Sequence, residues 1–131
     1  MIDGIYFSKT MTSGKVIAKG EHKGLHYEVI SYGTHPCCYV DLPKEHKWYG
    51  VKYDAIPVKC HFGLTYAEIS SGHKWRIGWD YAHCDDYCTY YEDSEVFHHT
   101  EELLKTGQLK KWAINELIEA CKDVCEQCSV K

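Results

Sequence analysis

No stretch of about 18 or more apolar residues occurs anywhere in the chain, so no segment reads as a membrane-spanning helix. The opening MIDGIYFSKTMTSGK has no basic start followed by an apolar run, so it does not read as a secretory signal, and the expected location is the cytoplasm. A basic excess is missing too. The net charge is −4 and the pI about 6.1, which argues against direct, sequence-independent binding to a phosphate backbone. There is no internal repeat, low-complexity tract or Pro/Ser-rich linker, so residues 1–131 read as a single domain. Several catalytic signatures are absent: H-E-x-x-H, G-x-S-x-G, H-x-E with P-C-x-x-C, and a glycine loop that would cradle phosphate. No pair of C-x-x-C knuckles stands at zinc-ribbon spacing.

What is present is aromatic and rich in thiols. Eleven Tyr and four Trp suit both a small β-rich core and a contact surface, because each ring joins an apolar body to a polar edge. In a reducing cytoplasm, eight cysteines stay free unless a metal takes them. Cys121, Cys125 and Cys128 recur at i, i+4 and i+7, one face of a helix, where free thiols behave as small buried hydrophobes; a Cys-rich metal site is the alternative.

Alternating or β-branched runs predict strands at 14–19, 25–32, 37–41, 57–69 and 74–80. HKG and SSGHK read as hairpin turns in which Gly supplies a positive φ. The segment KEHKWYGVKYDAI reads as a helical turn and a loop. Thr100 is a candidate N-cap for EELLK, with Gly107 as its stop. From Lys111 onward, Ile114, Leu117, Ile118, Cys121, Val124, Cys125 and Cys128 follow a 3.6-residue period, which predicts an amphipathic helix lying on the sheet. The expected fold class is α+β: a mostly antiparallel sheet with C-terminal helices packed on one side.

The densest chemistry lies in GWDYAHCDDYC, where Asp80, His83 and Asp86 fall at every third place. A hairpin joining VKCHFGLTYAEI to HKWRIGWDYAH would set Asp80 opposite Gly63 and bring His61 to the same end. His61, Asp80, His83 and Asp86 are therefore the candidate metal ligands. Two imidazoles and one or two carboxylates suit zinc; iron(II) and manganese take the same donors. The bland alternative makes His61 a hydrogen-bonded core histidine, His83 a surface residue and Asp86 a cap. His35, held extended before Pro36, is a lesser candidate. Cys84 and Cys88 lie near enough to add soft donors. A metal-dependent hydrolase acting on a nucleotide or other small molecule remains an alternative function, since catalytic zinc needs only an open position and a base.

From Asp85 to Glu95 the run DDYCTYYEDSE holds five carboxylates, three tyrosines and no base. It is either a solvated loop or an anionic surface that docks on a basic groove of another protein, with Asp85, Asp86, Glu92, Asp93 and Glu95 as the contacting acids.

Three blocks, HPCCYVDLP, YDAIPVKCHFGLTY and GWDYAHCDDY, resemble in content and order a group of small phage and mobile-element proteins. The likeness covers about residues 35–90; the termini lie outside it. The chain resembles the zinc-containing anti-CRISPR proteins that inhibit the type II RNA-guided nuclease. That resemblance implies a bound zinc, carries over to His35, His61, Asp80, His83 and Asp86, and implies a host CRISPR effector nuclease as partner, with no direct contact to nucleic acid or membrane. The nuclease holds guide and target in positively charged channels, which gives the acidic run something to meet. Blocking of guide or target-DNA loading, rather than turnover, is the implied action.

Overall fold

The computed structural model describes residues 14–32, 35–82, 86, 104–106 and 110–129. Five strands form one antiparallel sheet: β1 (Lys15–His22), β2 (Leu25–Ser31), β3 (Pro36–Leu42), β4 (Tyr66–Ile69) and β5 (Trp75–Asp80). Their order is β1-β2-β3-β5-β4, and one helix, α1 (Ile114–Ser129), lies across β1, β2 and β3. This is the expected α+β architecture. Among the described residues, no helix is long and apolar enough to cross a membrane.

The sheet follows from alternation. In β2, Leu25, Tyr27, Val29 and Ser31 are buried while His26, Glu28 and Ile30 are less so. β3 is central and buried along its whole length, so both of its faces are covered. Cys38, Val40 and Leu42 join Ile77, Trp79 and Tyr81 on the helix side, where α1 contributes Leu117, Cys121, Val124, Cys125 and Cys128. The cysteine face of the helix is thus core. Burial first, and neighbouring thiols after it, push Cys125 up to about 12 and Cys38 well above its usual value, so these groups stay protonated at neutral pH.

Register is fixed by turns and by two glycines lying under tyrosines. The β1–β2 turn places Lys23 (φ 56°) and Gly24 (φ 76°) in the left-handed region, as a two-residue hairpin of the primed type requires. Gly78 pairs with Tyr39, and a Cβ there would lie 2.6 Å from the tyrosine ring and 2.9 Å from the Cys38 carbonyl. Gly20 pairs with Tyr27 in the same way.

Three expectations need correction. The strand expected over 57–69 forms only at Tyr66–Ile69. Phe62 (φ 59°) and Gly63 (φ 80°) both leave the extended region, and Gly63 N donates to Cys60 O at 2.9 Å, which makes residues 60–63 a turn. Strand alternation at His61 and Gly63 therefore does not apply. The hairpin itself exists, pairing Tyr66 with Gly78, but Asp80 lies opposite Cys37 of β3 and not opposite Gly63. In SSGHK the left-handed residue is His73 (φ 60°), not Gly72. A type I turn followed by a left-handed residue asks for that conformation one place later than expected.

Residues 43–65 carry the chain from β3 past β5 to the sheet edge, with a 3₁₀ turn at Tyr53–Ala55. Ile56, Val58 and Leu64 are buried in the core. Side chains clamp the connection. Gln127 accepts from Lys59 N at 2.8 Å and donates to Lys59 O at 2.7 Å, while Trp75 Nε1 donates to Val51 O at 2.9 Å. His46 accepts from Trp48 N at Nδ1 (3.0 Å) and donates from Nε2 to Cys128 O (2.7 Å), satisfying a carbonyl at the end of α1. At the other end Glu116 reaches back to Ala113 N at 3.0 Å, half of a capping box. Lys110 and that N–H hold the Glu116 carboxyl below its usual range. The helix expected at EELLK falls on described residues only at 104–106, which are helical; Thr100 and Gly107 lie outside them.

Candidate functional site

At one end of β5 the chain gathers a carboxylate, an imidazole and two large aromatic rings. Asp86 is only 1% exposed. Its Oδ1 and Oδ2 stand 3.0 and 2.9 Å from His61 Nε2, and Oδ1 also accepts from Trp112 Nε1 at 2.8 Å. A carboxylate only accepts, so His61 carries its proton on Nε2 in this contact. The imidazole stacks on Tyr81 (centroids 4.6 Å apart, planes at 9°) and meets Trp112 edge-on at 5.1 Å. Tyr81 is in turn anchored by Trp79, whose Nε1 donates to its hydroxyl at 3.1 Å.

Each part has a local cause. The turn at 60–63 sits between buried Val58 and Leu64 and turns His61 inward. Tyr81 continues the helix-facing alternation of Ile77 and Trp79. Trp112 precedes α1, and its ring is covered by Lys110 Nζ at 4.1 Å. The backbone of Asp86 pairs with that of Lys110 in a parallel bridge. The bridge sets Asp86 and Lys110 side by side.

The structure unites two of the four candidate ligands. Asp80 alternates with Trp79 and Tyr81; its Oδ1 accepts from Ala82 N at 3.1 Å and its Oδ2 from Thr65 Oγ1 at 3.3 Å. It stands across from Cys37, whose thiol is pushed up to about 12, first by burial and then by this carboxylate. His83 lies outside the described residues, as do Cys84, Cys88, Asp85, Glu92, Asp93 and Glu95. His35 sits immediately before β3 with its ring 6.1 Å from that of Tyr32. An imidazole nitrogen beside a carboxylate is donor chemistry that suits zinc, and it fits two of the four positions such a site uses. Among the described residues, no group of three or more His, Cys, Asp or Glu side chains is placed to hold a cation.

Trp112 as the second partner of Asp86 is the contact that sequence reasoning missed. A buried indole N–H needs an acceptor, but that acceptor lies 26 positions away and no local pattern names it. A second unforeseen constellation lies on the other face of the sheet. Arg76, the chain's one arginine, holds Asp41 with two bonds (2.7 and 2.9 Å) and Glu28 at 3.1 Å, and His26 meets the second Glu28 oxygen at 2.9 Å. A separate cavity of about 630 Å³ opens between Lys23, Leu25, Pro43, His46 and Cys128 and shares no residue with the Asp86 cluster. No family model matches the chain, and no curated protein or solved structure does so either.

Proposed function

We propose that this protein is a stoichiometric binder of the anti-CRISPR kind, acting in the host cytoplasm on the type II RNA-guided nuclease by obstructing guide or target-DNA loading. The observation that carries the proposal is the anchoring of Asp86. The buried carboxylate, bonded to His61 and Trp112 and bridged through its backbone to Lys110, holds the chain at the start of the acidic, tyrosine-rich run. Asp86 is turned inward and acts as the anchor, which leaves Asp85, Glu92, Asp93 and Glu95 as the acids offered to a basic partner. Long-range attraction of this kind speeds encounter, while the tyrosines supply contact area. A zinc ion, where bound, takes His61 and Asp86 and adds a cross-link at the same anchor.

Titration into a cleavage reaction tests this reading. An inhibitor saturates near one molecule per nuclease, whereas a metal-dependent hydrolase acts far below equivalence. Joint charge reversal of Asp85, Glu92, Asp93 and Glu95 is expected to abolish inhibition with the fold intact; full inhibition by that variant refutes the surface assignment. Elemental analysis of the purified protein, with melting measured before and after chelation, tests the zinc.

A further inference from the structure

We propose that the outer edge of β4 takes up an extended segment of a partner protein, which adds a strand to the sheet and sets a Lys or Arg opposite Glu68. The inference stands apart from the proposed function, since β4 shares no residue with the Asp86 anchor. β4 is the last strand of the sheet, and among the described residues nothing pairs with its outer side. Ser70 N donates to Lys74 O at 2.8 Å, so the ladder turns the backbone groups of Tyr66 and Glu68 toward β5 and those of Ala67 and Ile69 outward. Neither Pro nor Lys guards this edge, which reads YAEI, and Ile69 is 53% exposed. In such strand addition, main-chain bonds give affinity and alternate side chains give specificity.

Charge selects the occupant. His26, Asp41, Arg76 and Glu68 face one another in a row that crosses β2, β3, β5 and β4 on the side of the sheet away from α1. Arg76 gives its ion pairs to Asp41 and Glu28. Glu68, at the end of the row, lies beside the Tyr66 hydroxyl and has no cation paired with it among the described residues. The row alternates in sign through Asp41, Arg76 and Glu68, and a cation continues it. A strand laid against Ala67 and Ile69 meets Glu68 in a non-hydrogen-bonded pair, where side chains come closest and opposite charges stabilise the pairing. Two places on, the partner residue faces Tyr66, itself edge-on to Tyr39 at 5.5 Å, which favours a β-branched or aromatic side chain. A groove of about 570 Å³ between Glu28, Asp41, Tyr66, Ile69 and Arg76 leaves room for the long basic side chain. A second copy of this chain suits the edge poorly, because pairing centred on Glu68 sets two carboxylates face to face.

The test is an NMR titration of the full chain with two short capped peptides of alternating Thr and Val, one with a central Lys and one with a central Glu. The Lys peptide is expected to shift the Ala67 and Ile69 amides and to bind about fivefold tighter than the Glu peptide. Glu68→Lys is expected to reverse that preference. Ile69→Pro, which removes an outward N–H and leaves the β4–β5 ladder whole, is expected to weaken binding about tenfold. Amides of β4 that stay still at millimolar peptide overturn the inference, as do equal affinities for the two peptides or a folded Ile69→Pro protein that binds as the parent does. Should Ile69→Pro fail to fold, the Glu68→Lys exchange decides. A parent that dimerises through β4 before any peptide is added overturns the choice of partner.

Discussion

The two faces of the sheet are built on opposite principles. Toward α1, Leu25, Tyr27, Val29, Cys38, Val40, Leu42, Ile77 and Trp79 meet aliphatic and thiol side chains, with no charged group among them. On the far face the same strands bring together His26, Glu28, Asp41 and Arg76, with Tyr39 laid over Gly78. Burial drives the first face and tolerates any packing that conserves volume. Directional bonds hold the second, where each charged group depends on its neighbour. Asp86 is the exception that joins the two styles: a buried carboxylate on the helix side, satisfied by an imidazole and an indole.

That exception should be the easiest point at which to break the molecule. Asp86→Ala leaves the Trp112 and His61 N–H groups without their acceptor, and a loss of about 3–5 kcal/mol in urea unfolding is expected. Next in size is the far face. Arg76→Ala strands Asp41, which is only 7% exposed, and should cost about 3 kcal/mol, the lower bound for removing one member of a buried pair. Replacing both partners, Arg76→Met with Asp41→Leu, should cost less than the single change, because no charge is left unpaired. If the double variant is the weaker protein, the face is not held by directional pairing. Gly78→Ala strikes the joint between the faces, driving a methyl into the Tyr39 ring and the Cys38 carbonyl; a loss of about 1–3 kcal/mol should appear in thermal melts.

The smallest effect expected is one of pH. Burial raises the Glu28 carboxyl, but the His26 hydrogen bond and the Arg76 charge outweigh it and hold the group below its ordinary 4.5. A depressed carboxyl stabilises the fold above its unfolded value and loses that contribution as pH falls through the folded one. Stability should therefore decline below about pH 4.5, and Glu28→Gln should flatten that decline relative to the parent.

Alternating or short apolar runs made β1, β2, β3, β5 and α1 legible. β2 and α1 present one face to the core at a fixed spacing, while β3, covered on both faces, reads as a short apolar run. The same reading misled at 57–65. Val58, Cys60, Phe62 and Leu64 alternate as a strand would, yet Val58 and Leu64 are buried by a turn that leaves Phe62 in water. Apolar alternation cannot distinguish a strand from an irregular segment pressed twice against the same core. The convergence of His61 and Asp86 follows from the expected meeting of their two segments, and the direct bond between them is the one that a hydrogen-bonded core histidine would make. The place of Asp80 opposite Cys37 is not readable in this way, since the strand on the inner side of β5, here β3, is a matter of topology. Charge partners such as Arg76 and Asp41 become readable only after that order is known.

The bridge between Asp86 and Lys110 closes the chain on itself beside the cluster of His61, Asp86 and Trp112. The entropic cost of such a closure grows only with the logarithm of the number of residues between, about 0.6 kcal/mol per doubling, so the clasp itself sets little limit on how long that stretch of sequence can become.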